Sequence, residues 1–180
     1  ESALSSTDQA SIKNDLDAKT SELKQAKTKC DTDLNTAAKE IKQIFLDLKV
    51  LSKKHLCRIL AAKMNHVITK AEDMATKVQS AIDKLNAAGK DTSKLKTWLS
   101  DFNTKIANAK TDKDKANAKC GEITSVSDAD AIMREVKDYI RSARRYIIDA
   151  YKTLKQLVVE LRAESAKGGK VALAGIGELK

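Results

Sequence analysis

Apolar residues recur through the middle of the chain at alternating steps of four and three. Between His55 and Leu85 this spacing places one apolar side chain per turn on a single face of a helix. Its members are Leu60, Met64, Val67, Ala71, Met74, Val78, Ala81 and Leu85. A helix with so regular an apolar face is stable in water only when other helices cover that face.

Similar repeats elsewhere predict three further helices. The first contains a strict seven-residue step, which favours left-handed coiled-coil packing: Leu16, Leu23, Cys30, Ala37, Ile44 and Leu51. The predicted helices span about residues 5–51, 55–88, 92–120 and 128–166. Short connections between helices favour antiparallel neighbours, so residues 1–167 are predicted to form an all-α, long antiparallel bundle of four helices with coiled-coil-like seams.

Residues near the predicted helix ends support these boundaries. Gly89 is well placed for a left-handed cap after the second helix. Ser127 followed by Asp130 resembles a capping box and is expected to open the fourth helix. Gly168 and Gly169 are expected to end it, leaving residues 168–180 as a flexible, glycine-containing tail.

The apolar repeat changes register between residues 50 and 56. The face that ends at Leu48 and Leu51 would continue at His55, whereas the next helix runs through Leu56. We predict a turn at residues 51–54, because a hairpin lets the two apolar faces cover each other. The alternative is one very long N-terminal helix in an extended rod, since neither glycine nor proline interrupts this stretch.

Composition supports long helices and limits how the core is built. The 180 residues include no proline and six glycines, and aromatic residues make up only 3%. The core must therefore consist of aliphatic side chains and alanine. No run of 18 apolar residues occurs, so no transmembrane segment is expected.

The net charge of +9 comes from 34 Lys and Arg against 25 Asp and Glu. Acidic and basic residues are interspersed, which is typical of a solvated, lysine-rich surface. A sharper interpretation is attraction to a polyanion such as nucleic acid, a wall polymer or an anionic membrane.

The segment Ile44–Val50, followed by His55-Leu56 and by a helix containing Ala71-Glu72-Asp73-Met74, resembles the helical hairpin of uncharacterised secreted proteins from small-genome candidate-phylum bacteria. The resemblance covers roughly residues 39–109. It implies a helical bundle, export and a bacterial source, and it carries no known activity or functional residues. This chain differs from the family pattern at residues 52–54, Ser-Lys-Lys, where the family often has a proline-bearing turn.

The three cysteines bear on the compartment. With the predicted up-and-down topology, Cys57 and Cys120 lie at the same end of the bundle, and Cys30 lies about 30 Å away. A Cys57–Cys120 disulfide with a free Cys30 is predicted if the compartment is oxidising. The alternatives are three reduced cysteines packed as small apolar residues, or a Cys30–Cys120 pair. The chain begins at Glu1 rather than Met, from which we expect a processed precursor or a trimmed chain, secreted or at the cell surface.

One helix segment is rich in arginine and tyrosine. Arginine binds phosphate or carboxylate bidentately, and a neighbouring aromatic ring can stack on a base or sugar. This makes a possible anion-binding site of Arg141, Arg144, Arg145 and Tyr146, among Tyr139 and Tyr151. The structural alternative is that the tyrosines flank the core and that Arg141 and Arg145 pair with Asp138 and Asp149 along the helix.

Candidate chemistry for catalysis or metal binding is sparse. His55, Cys57, Met64 and His66 are possible ligands, but they fall on two different helix faces and do not converge on one ion. There is no serine–histidine–acid arrangement, no phosphate-binding loop and no pair of core-facing carboxylates. We therefore expect no enzyme activity, no metal site and no cofactor.

Three functions are compatible with the sequence. The leading prediction is an extracytoplasmic structural or protein-interaction bundle, whose partner is another protein or a surface polymer. The second is a basic helical protein that binds a polyanion such as nucleic acid or a wall polymer. The third is an amphipathic lipid-binding bundle that opens onto membranes.

Overall fold

The structure, a computed structural model, describes residues 4–167 of the chain. These residues form four helices and no strand: α1 (Ser6–Lys29), α2 (Leu34–Ala87), α3 (Ser93–Gly121) and α4 (Val126–Lys167). The helices pack against one another, so the predicted all-α helical bundle is confirmed. The tail predicted at residues 168–180 lies outside the described residues.

The connection between the first two helices was predicted in the wrong place. The chain reverses between Lys29 and Leu34, and α2 then continues without a break through residues 50–56. Asp33 explains the reversal by capping α2: the Thr36 amide donates to Asp33 Oδ1 (3.0 Å) and the Thr36 hydroxyl donates to Asp33 Oδ2 (2.6 Å). The predicted helices at 5–51 and 55–88 are therefore wrong, and so is a single helix running from the N-terminus into α2.

The connection between α2 and α3 follows the prediction closely. Gly89 has φ of +73°, a left-handed conformation that costs glycine little. The Lys90 amide donates to the carbonyl oxygen of Leu85 at 3.1 Å, which closes the end of α2. The Ser93 amide at the start of α3 donates to Asp91 Oδ1 at 2.9 Å.

The start of α4 differs from the prediction by two residues. Its capping box is formed by Ser125 and Asp128, not by Ser127 and Asp130. The Asp128 amide donates to Ser125 Oγ (3.3 Å), and the Ser125 amide donates to Asp128 Oδ1 (3.0 Å). The reciprocal bonds satisfy two amides at the helix start, so α4 begins at Val126 rather than near residue 128.

The predicted bundle divides into two compact units. Unit 1 comprises residues 1–63 and 114–140, and unit 2 comprises residues 64–113 and 141–180, each as far as the chain is described. All three boundaries between the units fall inside helices, so α2, α3 and α4 each contribute to both units.

Unit 2 is a three-helix bundle with a continuous apolar core. Phe102 of α3 is fully buried and is the largest side chain in it. It packs among aliphatic and alanine side chains from all three helices, including Ile68, Val78, Ile82, Leu85, Leu95, Leu99, Ile106, Leu154, Leu157 and Leu161. Burying one such side chain stabilises the fold by about 1.5–3 kcal/mol.

Unit 1 contains a smaller core and the contact between α1 and α2. Its core consists of Cys57, Ala116, Cys120, Ile123, Ala129, Ile132, Met133 and Val136. Where α1 meets α2, the buried apolar residues are Ala26, Ala37 and Ile44. Leu16 and Leu23, which were predicted to lie in the seam, are 49% and 45% exposed. The seven-residue step therefore does not describe the buried face of α1.

Lys19 helps to hold α1 against α2, although the contact between these helices has no continuous apolar seam. Its ammonium lies 2.8 Å from both Asp47 Oδ2 on α2 and Glu22 Oε2 on its own helix. These contacts raise the pKa of Lys19, chiefly through the hydrogen bonds to Asp47 and Glu22. Lys29 pairs with Glu40 nearer the turn. Charged pairs thus replace apolar packing along much of this contact.

Candidate functional site

The structure places Cys57 of α2 and Cys120 of α3 at disulfide distance, with their Cα atoms 5.6 Å apart. Both residues are buried in the core of unit 1. Cys57 lies 32 residues before Gly89 and Cys120 lies 31 residues after it, so an antiparallel α2–α3 hairpin brings them opposite each other. The pair is the predicted one, although the turn assumed at residues 51–54 is absent.

Cys30 is free and half-buried at the C-terminal end of α1. Its thiol donates to the carbonyl oxygen of Ala26 at 3.6 Å. The alternative Cys30–Cys120 pair is therefore not formed.

The predicted arginine cluster lies on the exposed side of α4 in unit 2. Arg141, Arg144 and Arg145 are all solvent-exposed. Asp149, a predicted partner of Arg145, instead hydrogen-bonds to Lys152 at 2.8 Å. Lys152 is the main reason that the pKa of Asp149 is lowered, and Arg145 adds a smaller electrostatic contribution. Among residues 4–167, neither Arg144 nor Arg145 forms an ion pair.

The three tyrosines do not form one stacking platform. Tyr139 packs against the core of unit 1, and the Lys115 ammonium lies 5.8 Å from its ring centroid. Tyr151 packs against the core of unit 2, where burial raises its pKa. Tyr146 is exposed beside the arginines. The candidate anion site therefore retains its arginines and a single accessible aromatic ring.

The cationic surface of α4 is longer than the predicted cluster. We call it the α4 basic face, and it consists of the exposed residues Arg141, Arg144, Arg145, Ile148, Lys152, Lys155, Val159 and Arg162. Successive members follow mostly at steps of three and four, so they lie on one side of the helix. From Arg141 to Arg162 the face runs for about 32 Å. The sequence shows the same spacing of cations along this helix, but the predicted site included only its arginine-rich segment.

A second candidate surface was not predicted. In unit 1, α2 and the first turn of α4 enclose a cavity of about 440 Å³, which we call the groove. It is lined by Phe45, Leu48, Lys49, Ser52, Lys53, Val126, Ala129 and Asp130. Phe45 is 57% exposed although it is the largest apolar side chain of the set. The groove is therefore an apolar surface open to solvent.

Other apolar residues on the same side of α2 as Phe45 are also exposed. Leu34 is 70% exposed and Ile41 is 38% exposed. Leu34, Ile41, Phe45 and Leu48 follow at steps of seven, four and three, so they share one side of the helix. Of these four residues, Phe45 and Leu48 line the groove.

Two charged contacts shape the edge of the groove. The Lys49 ammonium lies 4.6 Å from the centroid of the Phe45 ring, within the range of a cation–π interaction. Lys53 pairs with Asp130 at 3.0 Å, and this contact joins α2 to the start of α4. Lys53 is the main cause of the lowered pKa of Asp130.

The candidate metal ligands do not come together. Cys57 is engaged with Cys120. His55 is buried in unit 1, where its Nε2 lies 3.1 Å from Asp15 Oδ2 of α1. Within residues 4–167, no three His, Cys, Asp or Glu side chains are arranged to hold a metal ion.

Across the described part of the chain, no helix is both long enough and apolar enough to span a membrane.

Comparisons with known proteins found no match. No protein-family model matches the chain, and no curated protein or solved structure is significantly similar to it.

Proposed function

We propose that this chain is a non-catalytic protein-interaction bundle that acts outside the cytoplasm, with the groove as its docking surface. The observation that carries the proposal is the exposure of Phe45 above an open apolar cavity of about 440 Å³. Leaving a phenylalanine in water forgoes stabilisation that burial would provide, and an interaction partner is the usual reason for such a patch.

The extracytoplasmic location is supported by the cysteines. A buried pair at disulfide distance is compatible with an oxidising compartment, where such bonds form and persist. We expect one alkylatable thiol, Cys30, in the protein isolated from its native compartment, and three after reduction.

The docking role is tested by co-purifying the full chain from its native source with and without Phe45→Ser. Leu16→Ser is the matched control, because Leu16 is also an exposed apolar residue, 49% accessible, but lies on α1 and is not among the residues that line the groove. We expect a stoichiometric partner with the native chain and with the control, and its loss with Phe45→Ser. Equal recovery with both variants would exclude the groove as the docking surface.

A second candidate function is polyanion binding through the α4 basic face. It is favoured by six exposed cations on one side of α4, of which Arg144 and Arg145 form no ion pair within the described residues. Such a surface binds phosphate polymers by releasing their counterions.

The test is fluorescence anisotropy with a 20-base-pair DNA duplex and with a wall polymer rich in phosphate. Replacing Arg141, Arg144 and Arg145 with Gln should weaken binding about tenfold or more at low salt and reduce the salt dependence. The control replaces Lys39, Lys42 and Lys49 with Gln, an equal charge change on α2. Equal losses in both triple variants would indicate general attraction by net charge, without a site on α4.

A further inference from the structure

Ion pairing leaves the segment of α2 around the groove strongly cationic. Residues 34–54 contain two acids, Glu40 and Asp47, and five lysines. Glu40 pairs with Lys29, and Asp47 pairs with Lys19, so both acids are neutralised by lysines of α1. In the described part of the chain, Lys39, Lys42 and Lys49 form no ion pair.

Two of these lysines flank the exposed ring of the groove. Lys42 lies three residues before Phe45 and Lys49 lies four residues after it, so all three side chains occupy the same side of α2. Both lysines are exposed, and the Lys49 ammonium already contacts the Phe45 ring at 4.6 Å. An apolar floor edged by uncompensated positive charge favours a ligand with the opposite pattern.

We infer that the groove binds an acidic amphipathic helix of a partner protein. This inference rests on the proposed function and specifies the partner of the same site. The partner's apolar residues, at steps of three and four, would cover Phe45, Leu48 and Val126, and carboxylates beside them would face Lys42 and Lys49. Docking an amphipathic helix in this way buries the apolar surface and compensates the lysines at once.

The shape and the charge of the groove argue against two other occupants. A bilayer surface presents no ridge of side chains with which to fill a cavity of about 440 Å³ between two helices. A second copy that used the same surface would bring Lys42 and Lys49 towards their own counterparts, and this repulsion would oppose association. A helix that carries glutamate or aspartate beside its apolar face can fill the cavity with apolar side chains and compensate the charges of Lys42 and Lys49.

The test uses two synthetic 21-residue helical peptides with identical leucine positions. One carries Glu and the other Lys at the positions that flank the leucines. Binding of each fluorescein-labelled peptide to the full chain is measured by anisotropy. We expect the Glu peptide to bind at least tenfold more tightly than the Lys peptide, Phe45→Ser to abolish this binding, and Leu16→Ser to leave it unchanged.

A charge-reversal variant separates charge recognition from simple apolar contact. Lys42→Glu combined with Lys49→Glu should reverse the preference, so that the Lys peptide binds more tightly. Both substitutions lie at exposed positions, and circular dichroism verifies that the variant retains its helices. Equal affinity of the two peptides for the native chain, or no binding of the Glu peptide, would overturn the inference.

The remaining outcomes distinguish this inference from the proposed function. If co-purification of a native partner depends on Phe45 but the Glu peptide does not bind, the docking role survives and the acidic helix is rejected. If vesicles of anionic phosphatidylglycerol bind the chain in a Phe45-dependent manner and the Glu peptide does not, the groove recognises a lipid surface instead. Vesicles of neutral phosphatidylcholine are the control for the lipid arm.

Discussion

The two phenylalanines of this chain lie in opposite environments. Phe102 in unit 2 is completely buried among side chains of three helices, whereas Phe45 in unit 1 is 57% exposed beside an open groove. Unit 2 exposes Ile148 and Val159 singly on α4, whereas the exposed phenylalanine of unit 1 lines an apolar groove together with Leu48 and Val126. This difference is why we propose the groove as the docking surface.

The two units also differ in how their helices are held together. The helices of unit 2 share one continuous apolar core. In unit 1, the contact between α1 and α2 consists of the buried residues Ala26, Ala37 and Ile44, the Lys19–Asp47 and Lys29–Glu40 pairs, and the approach of His55 to Asp15. Partly exposed ion pairs contribute at most about 1 kcal/mol each, so α1 should be the least stably attached of the four described helices.

The largest expected effect comes from truncating the buried ring. Phe102→Ala should lower the free energy of unfolding by about 3–5 kcal/mol, because it removes a large apolar side chain and leaves a cavity. Phe45→Ala, the same change at an exposed position, should cost less than about 0.5 kcal/mol. Urea denaturation followed by circular dichroism compares them. Similar losses of unfolding free energy in the two variants would show that Phe45 is as important for folding as Phe102.

Removing the Cys57–Cys120 link should have the next largest effect. The cysteines are 63 positions apart in the sequence, and closing a loop of that size stabilises a protein by about 4 kcal/mol on the chain-entropy estimate. Cys57→Ala combined with Cys120→Ala should lower the melting temperature, and dithiothreitol should then cause no further decrease. Cys30→Ala is the control and should respond to dithiothreitol as the native chain does.

A smaller effect is expected at the contact between α1 and α2. A double-mutant cycle of Lys19→Ala and Asp47→Ala should give a coupling free energy of about 0.5–1 kcal/mol, because the Lys19 side chain is largely shielded from water. The control cycle uses Lys13 and Asp17, an exposed pair on α1, and should give about 0.3 kcal/mol. A larger coupling in the control would mean that Lys19 has no special role in attaching α1.

The smallest predicted effect is a dependence on pH. Hydrogen bonds from Lys19 and Gln43 lower the pKa of Asp47 below its ordinary 3.8. A depressed carboxyl pKa stabilises the folded state above pH 3.8, and this contribution is lost as the pH falls through the lower, folded-state pKa.

We therefore expect the stability difference between the native chain and Asp47→Asn to decrease from pH 6 to pH 2. Because Asp47 is partly exposed, the change should not exceed about 0.5 kcal/mol. Urea denaturation of both proteins at each pH measures it. If the stability difference between the two proteins instead increased at low pH, the ionised Asp47 would not be stabilising the folded state.

Much of the fold was readable from the sequence because it depends on local chemistry. The apolar spacing between His55 and Leu85 predicted a helix, and Gly89 predicted where that helix ends. These two features predict an α2–α3 hairpin in which Cys57 and Cys120 lie opposite each other, as they do in the structure.

The connection between α1 and α2 was missed because the apolar repeat continues across it. Cys30 and Ala37 keep the seven-residue step although the chain reverses between them, and no glycine or proline marks the break. The readable signal was Asp33, a favoured helix-capping residue, followed three positions later by Thr36. Periodicity alone therefore gave less information here than the capping residue.

The candidate surfaces were predictable to different extents. The α4 basic face follows from the spacing of cations along one helix, so its arginines are predictable from the sequence. The groove depends on where Val126 and Ala129 of α4 lie beside Phe45 of α2. These residues are about 80 positions apart, and no local pattern in the sequence reports that contact.

The link between Cys57 and Cys120 has a consequence for cleavage by proteases. The connection at residues 88–92, with its Lys90, lies within the loop that this link closes. Trypsin acting after Lys90 would therefore cut the backbone without releasing a fragment. The nicked chain would migrate as one species on a non-reducing gel and separate into two only after reduction. In an oxidising and protease-rich environment, a single cut at this connection would leave a covalently intact molecule.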